Sequence, residues 1–287
     1  SSSSRGLGDV YKRQHNNIKA RNLEDAIQRC NKLIKKFPKN PYLYNLGGLA
    51  LQQLQNITLS VKYFEKAIEL EPTNLSAKNN LANSLKVLGK FDISEKLYKE
   101  ILKNDNQHLK CLNNYANLKQ QLTDYAGAID LYKKALDIEP KHITVLLSLA
   151  NAYHSIGKFD KAKENINKVL NINENTMSAH KLLSSIIDYK SEPEHLQQMK
   201  NLNMNDKLRF DQKIDLNFAL GKAYEDIGDY ENSFKSLEKA NEIKRKNIIF
   251  DIKNEKNLFE SIKKSFQNVD FNKEVKNQRK EKIIFIC

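Results

Sequence analysis

The chain has 287 residues, 40% of them hydrophobic, with only nine glycines and five prolines; that supply of apolar side chains and shortage of chain breakers exclude a disordered polymer and allow one or two folded domains. Lys and Arg outnumber Asp and Glu 48 to 35, but the lysines alternate with glutamates, as in FEKAIELE and YKKALDIE, in the manner of solvated helix faces, so no nucleic-acid partner is expected. Three widely separated cysteines, Cys30, Cys111 and Cys287, exclude a disulfide framework or zinc site, and no apolar run is long enough to span a bilayer, so the reading is a soluble, cytoplasmic chain with no membrane partner.

Residues 1–14, SSSSRGLGDVYKRQ, fit nothing that follows and read as a non-native or artefactual leader, any native start lying upstream. Residues 15–40 hold half a unit, in which ARNLEDAIQRCNKLIKKFPKN supplies a turn and one helix, with Cys30 at a position that takes a bulky apolar residue elsewhere. From Pro41 to Thr176 a pattern then recurs four times at a spacing of 34: Pro38, Pro72 and Pro140 mark the unit ends, with Asn106 and Glu174 in the two slots that lack proline. A period in this range means stacked supersecondary units.

Within each unit, small residues stand where two helices must touch: Gly48, Ala82, Ala116 and Ala150 in the first helix, Ser60, Ser94, Ala128 and Ala162 in the second. Bulky residues fill the seam, with Ile57, Phe91, Tyr125 and Phe159 opening the second helix and Phe64, Tyr98, Tyr132 and Ile166 farther along it. The turns LQNI, LGKF, LTDY and IGKF end the first helix, Gly89 and Gly157 supplying a positive φ.

This pattern resembles the tetratricopeptide repeat (TPR), in four consecutive units over residues 41–176. The resemblance implies an all-α, right-handed superhelix of antiparallel helix pairs, with first helices lining a concave groove that takes a protein or peptide partner. Its fifth and ninth first-helix places, which face that groove, read Asn45, Asn79 and Asn113, then Leu49, Asn83, Asn117 and Asn151, and His154 falls on the same face. Side-chain amides donate and accept, so a ladder of Asn45, Asn79, Asn83, Asn113, Asn117 and Asn151 is expected to hold the backbone of an extended peptide, as in some repeat-containing sugar transferases. The subtype that clamps a terminal carboxylate needs cations where this chain has Asn79, Thr144 and Ser148, so that mode is not expected even though Asn83 and Asn114 match it.

After Thr176 the phase breaks. MSAHKLLSSIIDYK reads as a first helix, SEPEHLQQMKNLNMND replaces its partner, and IDLNFALGKAYEDIGDYENSFKSLEKANEIKRK restores the pattern with Gly221, Tyr224, Gly228, Tyr230 and Ala240, making 177–245 a divergent repeat region. Residues 246–271 are expected to form a capping helix and 272–287 a linker ending in one strand, KIIFIC, that would open an α/β domain beyond Cys287. That junction resembles bacterial repeat-containing sulfotransferases, in which the loop after the first strand holds the donor nucleotide PAPS. The resemblance implies an array that presents an acceptor to a catalytic domain beyond this chain, with no catalytic, cofactor or metal-binding residue in the chain itself. A free-standing scaffold, or the repeat region of a peptide glycosyltransferase, remains the alternative.

Overall fold

The computed structural model describes residues 23–205, 207–247 and 252–267. The leader 1–14, the rest of the segment before Leu23, and the linker and strand at 272–287 lie outside the described residues. Among the described residues there are fourteen helices and no strand. In chain order they are α1 (Leu23–Lys36), α2 (Pro41–Gln53), α3 (Ile57–Leu70), α4 (Leu75–Val87), α5 (Phe91–Asn104), α6 (Leu109–Gln121), α7 (Tyr125–Ile138), α8 (Ile143–Ser155), α9 (Phe159–Ile172), α10 (Met177–Ser184), α11 (Glu194–Asn203), α12 (Phe210–Asp226), α13 (Tyr230–Lys246) and α14 (Ile252–Phe266).

The second helices open on the expected residues, Ile57, Phe91, Tyr125 and Phe159. Two residues past the end of each first helix in the regular units stands a residue with positive φ: Gly89 and Gly157 at 74° and 72°, Gln55 and Thr123 at 62° and 61°. A side chain at such a φ costs about 1–2 kcal/mol, and the two units that bear this cost also carry a side-chain cap on the next residue. Asn56 Oδ1 accepts the Leu59 N–H and Asp124 Oδ1 the Gly127 N–H, whereas Lys90 and Lys158, which follow the glycines, make no such bond.

The first helices are capped by residues that composition did not single out. Asn74 Oδ1 accepts from Ala77 N–H, and in the next two units histidine does the same work: His108 Nδ1 accepts from Cys111 N–H at 3.1 Å and His142 Nδ1 from Val145 N–H at 3.3 Å. Each bond satisfies a helix-terminal donor that would otherwise face water. The expected terminal prolines are not what stops the second helices, since α5 and α9, lacking proline in that slot, end at the same place in the unit as α3 and α7.

Close packing follows the small residues. Ala82, Ala116, Ala150, Ser60, Ser94, Ala128 and Ala162 are all fully buried, as are Phe64, Tyr98, Tyr132 and Ile166. A Cβ on Gly48 would stand 2.6 Å from the Phe64 ring, so the helix pair α2–α3 approaches closely because that position has no side chain. Phe159 departs from the expected seam: it is 48% exposed and rests against the His154 ring at 5.5 Å. Cys30 and Cys111 are fully buried, and burial pushes their thiols up to about 11 and about 12, which leaves them inert near neutral pH.

Neighbouring first helices touch directly, α2 on α4, α4 on α6 and α6 on α8, whereas each second helix meets the next repeat through that repeat's first helix. The side on which neighbours stand closer is the inner side of a stacked array, so the first helices form its inner wall. Beyond Thr176, α10 is only eight residues long and stops at Ser185; the chain crosses 185–193 before α11, and α10 packs on α12. The described residues of α14 are exposed, Leu258, Phe259 and Ile262 among them. Of the expected cap at 246–271, Ile252–Phe266 is helical, and the apolar side chains described on it lie exposed.

Candidate functional site

The inner wall carries the expected asparagines, but the structure divides them. Asn45 and Asn79 are 8% and 3% exposed and bond along the stack: Asn80 Nδ2 donates to Asn45 Oδ1 at 2.9 Å, and Asn114 Nδ2 donates to Asn79 Oδ1 at 3.2 Å. The fifth-place ladder thus runs between repeats, each step joining residues 35 apart. Stacking brings the sixth place of one repeat over the fifth of the previous one, a contact that spacing within a single helix does not reveal. Asn113 ends this series, because its counterpart is Ser148; its buried Oδ1 has no partner.

The ninth-place residues Asn83 and Asn117 are half-buried and Asn151 is exposed. The Tyr132 hydroxyl lies 2.6 Å from Asn117 Oδ1 and 3.1 Å from Gln120 Oε1. Its one proton goes to the nearer oxygen, so Asn117 Oδ1 is held toward α7 and the Asn117 NH2 group is uncommitted among the described residues. Gln52, one repeat earlier than Lys86, donates instead to the Ser84 hydroxyl at 2.9 Å. His154 lies at the far end of the same row, 3.3 Å from the Ser185 hydroxyl.

Two features escaped sequence reasoning. Tyr98, thirty-four residues before Tyr132, is fully buried and its hydroxyl has no partner: Asn83, the equivalent of Asn117, makes no bond to it, and Lys86, the equivalent of Gln120, has no lone pair to offer. The second is a buried polar chain in the divergent region: Tyr189 Oη to His195 Nδ1 at 2.7 Å, His195 Nε2 to His180 Nδ1 at 2.8 Å, and His180 Nε2 to the Glu174 carbonyl at 2.8 Å. Two histidines fifteen residues apart across a phase break give no sequence signal. Among the described residues no group of three or more His, Cys, Asp or Glu could hold a metal ion, and no helix is long and apolar enough to cross a membrane.

The chain matches family models described as tetratricopeptide repeat at residues 41–74 and 214–247, 79–143 and 120–186. No protein of curated function matches it. Among solved structures it resembles a tetratricopeptide repeat protein from Parabacteroides merdae, 16% identical, covering 83% of this chain and 93% of that one with a TM-score of 0.59. It also resembles Pseudomonas aeruginosa PilF, 21% identical over 68% of this chain and 88% of that one, TM-score 0.55. A third is the human IFIT1 dimer with PPP-AAAA, 20% identical over 78% of this chain and 55% of that one, TM-score 0.63. At these identities the structures share the fold and nothing finer. The family models cover the four regular units and the unit restored after the phase break, and with the stacked helix pairs described above they place the chain in the tetratricopeptide repeat family.

Proposed function

We propose that the array is a protein-interaction scaffold whose inner wall holds an extended polypeptide segment, gripping its backbone through side-chain amides. The observation that carries this reading is the Tyr132 hydroxyl 2.6 Å from Asn117 Oδ1, whose single proton holds that amide with its NH2 group free for a ligand's carbonyl. Pre-oriented donors lose little rotamer freedom on binding, which favours affinity. Asn83 and Asn151 extend the same row, while Asn45 and Asn79 support it by tying the repeats together. The PPP-AAAA seen in the IFIT1 structure is not carried over, because this wall offers no run of aromatic rings for stacking bases.

The test is selection from a phage-displayed library of random dodecapeptides on the purified chain and on a variant with Asn83, Asn117 and Asn151 replaced by alanine. Peptides enriched on the parent and lost on the helical variant support the reading; no enrichment on the parent ends it. The finer reading, an acceptor-presenting region ahead of a PAPS-dependent sulfotransferase domain, draws its support from the sequence of residues 177–287 alone, FALGKAYEDIGDYENSFKSLEKAN, FESIKKSF and KIIFIC together. Sequencing the reading frame past Cys287 tests it, and a frame with no phosphate-binding loop after Cys287 would exclude it.

A further inference from the structure

The inner wall is sorted by charge. None of the helices α2, α4, α6 and α8 contains a single Asp or Glu, although the chain has 35; the carboxylates of the regular units sit on the second helices, among them Glu95, Glu100 and Asp130, and in the turns. The same first helices carry four lysines. Lys78 is neutralised by Glu100, and Lys119 by Glu95 and Asp124, all from outside the wall. Lys86 and Lys110 have no anionic partner among the described residues.

Lys86 is the more informative of the two. It is half-buried, and burial draws its ammonium below the usual lysine range because no carboxylate repays the lost hydration. It occupies the place in the unit that Gln120 holds beside the Tyr132 hydroxyl, and in its own repeat the Tyr98 phenol has no partner. The Ser94 hydroxyl beside that phenol commits its own proton to the Ala82 carbonyl. One turn back along α4, Asn83 offers an amide with no bond of its own. This repeat therefore presents a cation and an amide with no acceptor among the described residues to receive them.

We infer that the extended polypeptide held by this wall is acidic, and that an Asp or Glu side chain of the ligand meets Lys86 and Asn83 at the α4 position, with Lys110 adding attraction at the next repeat. This rests on the reading of the wall as a peptide groove. An uncharged ligand would leave the Lys86 ammonium desolvated and unpaired, which is costly, and a basic one would be repelled by a wall that has no counter-charge. Two free cations are also too few to track a polyphosphate backbone, whose binding strength comes from the number of phosphates neutralised.

The test uses the intact chain, the dodecapeptide library and two variants, Lys86→Met and Lys86→Glu. Expected is enrichment of peptides with Asp or Glu at one fixed position, bound at least tenfold more weakly by Lys86→Met, with Lys86→Glu selecting Lys or Arg at that position. Tyr98→Phe serves as the structural control: it is expected to raise the denaturation midpoint of the free protein and leave the acidic peptides bound as by the parent. Enriched peptides without a fixed acidic position, or bound equally by Lys86→Met, would overturn the acidic ligand and leave the peptide groove standing. No enriched peptides at all would end both, and displacement of the peptides by a single-stranded oligoadenylate that binds more tightly would replace the acidic peptide with a nucleic acid.

Discussion

His195 Nε2 stands 2.8 Å from His180 Nδ1, and a single carbonyl decides which atom holds the proton. His180 Nε2 faces the Glu174 carbonyl, which only accepts, so that nitrogen carries the hydrogen and His180 Nδ1 is a bare acceptor. His195 must then donate from Nε2 and accept at Nδ1 from the Tyr189 hydroxyl. Every donor is matched only while both rings are neutral.

Acid should therefore loosen the divergent repeat. Burial holds His195 at about 4 and draws His180 below its ordinary 6.5, with the Glu174 carboxylate opposing the shift at His180 and the charges of Glu192 and Asp226 acting on Tyr189; Lys163 pairs with Glu192 and Lys222 with Asp226. Both folded values lie under the unfolded one, so the unfolded chain binds protons first as pH falls. Stability from this cluster is intact above 6.5 and is lost progressively from there down to about 4. Thermal midpoints measured across that window should fall more steeply for the parent than for His195→Gln; equal slopes would refute the assignment.

Tyr189→Phe keeps the ring but leaves His195 Nδ1 buried without a donor, an expected loss of about 1–3 kcal/mol. Urea unfolding followed by circular dichroism checks this, and an unchanged midpoint would show that the phenol contributes nothing.

At the inner contact between helix pairs, Ala150→Leu should cost about 1–3 kcal/mol by overpacking a fully buried site. Its neighbour Asn151 is exposed, and Asn151→Ala should stay within about 0.5 kcal/mol. Similar shifts in denaturant midpoint for the two would disprove the register.

The turns permit a stabilising change. Gln55 holds φ 62°, so Gln55→Gly should gain about 0.5–1 kcal/mol, whereas Gly89→Ala, at φ 74°, should lose about 1 kcal/mol. Calorimetric midpoints moving in opposite directions would bear this out.

Histidine as an N-cap gives the last expectation. His142→Ala removes the acceptor of the Val145 N–H and should cost about 0.5–2 kcal/mol, while His142→Asn, the residue found at that place in Asn74, should restore it. Equal losses in both would assign His142 another role.

The sequence by itself determined the helix pairs, their 34-residue phase and the residues that touch between them. Those properties are local or periodic: Gly48 and Ala150 recur in step with Phe64 and Ile166, and a repeated contact leaves a repeated trace. Only the tertiary structure decided which groove asparagines are free. Asn45 and Asn79 share a helix face with Asn83 and Asn117 in any periodic reading, but the bonds from Asn80 and Asn114 exist only because stacking offsets one repeat on the next. The phase break was legible as a break, yet what fills it was not, since His180, Tyr189 and His195 meet through a non-repeating turn whose path no period encodes. The charge sorting of the inner wall lies between the two: its letters are in the sequence, but their meaning depends on the first helices facing one another across the inside of the array.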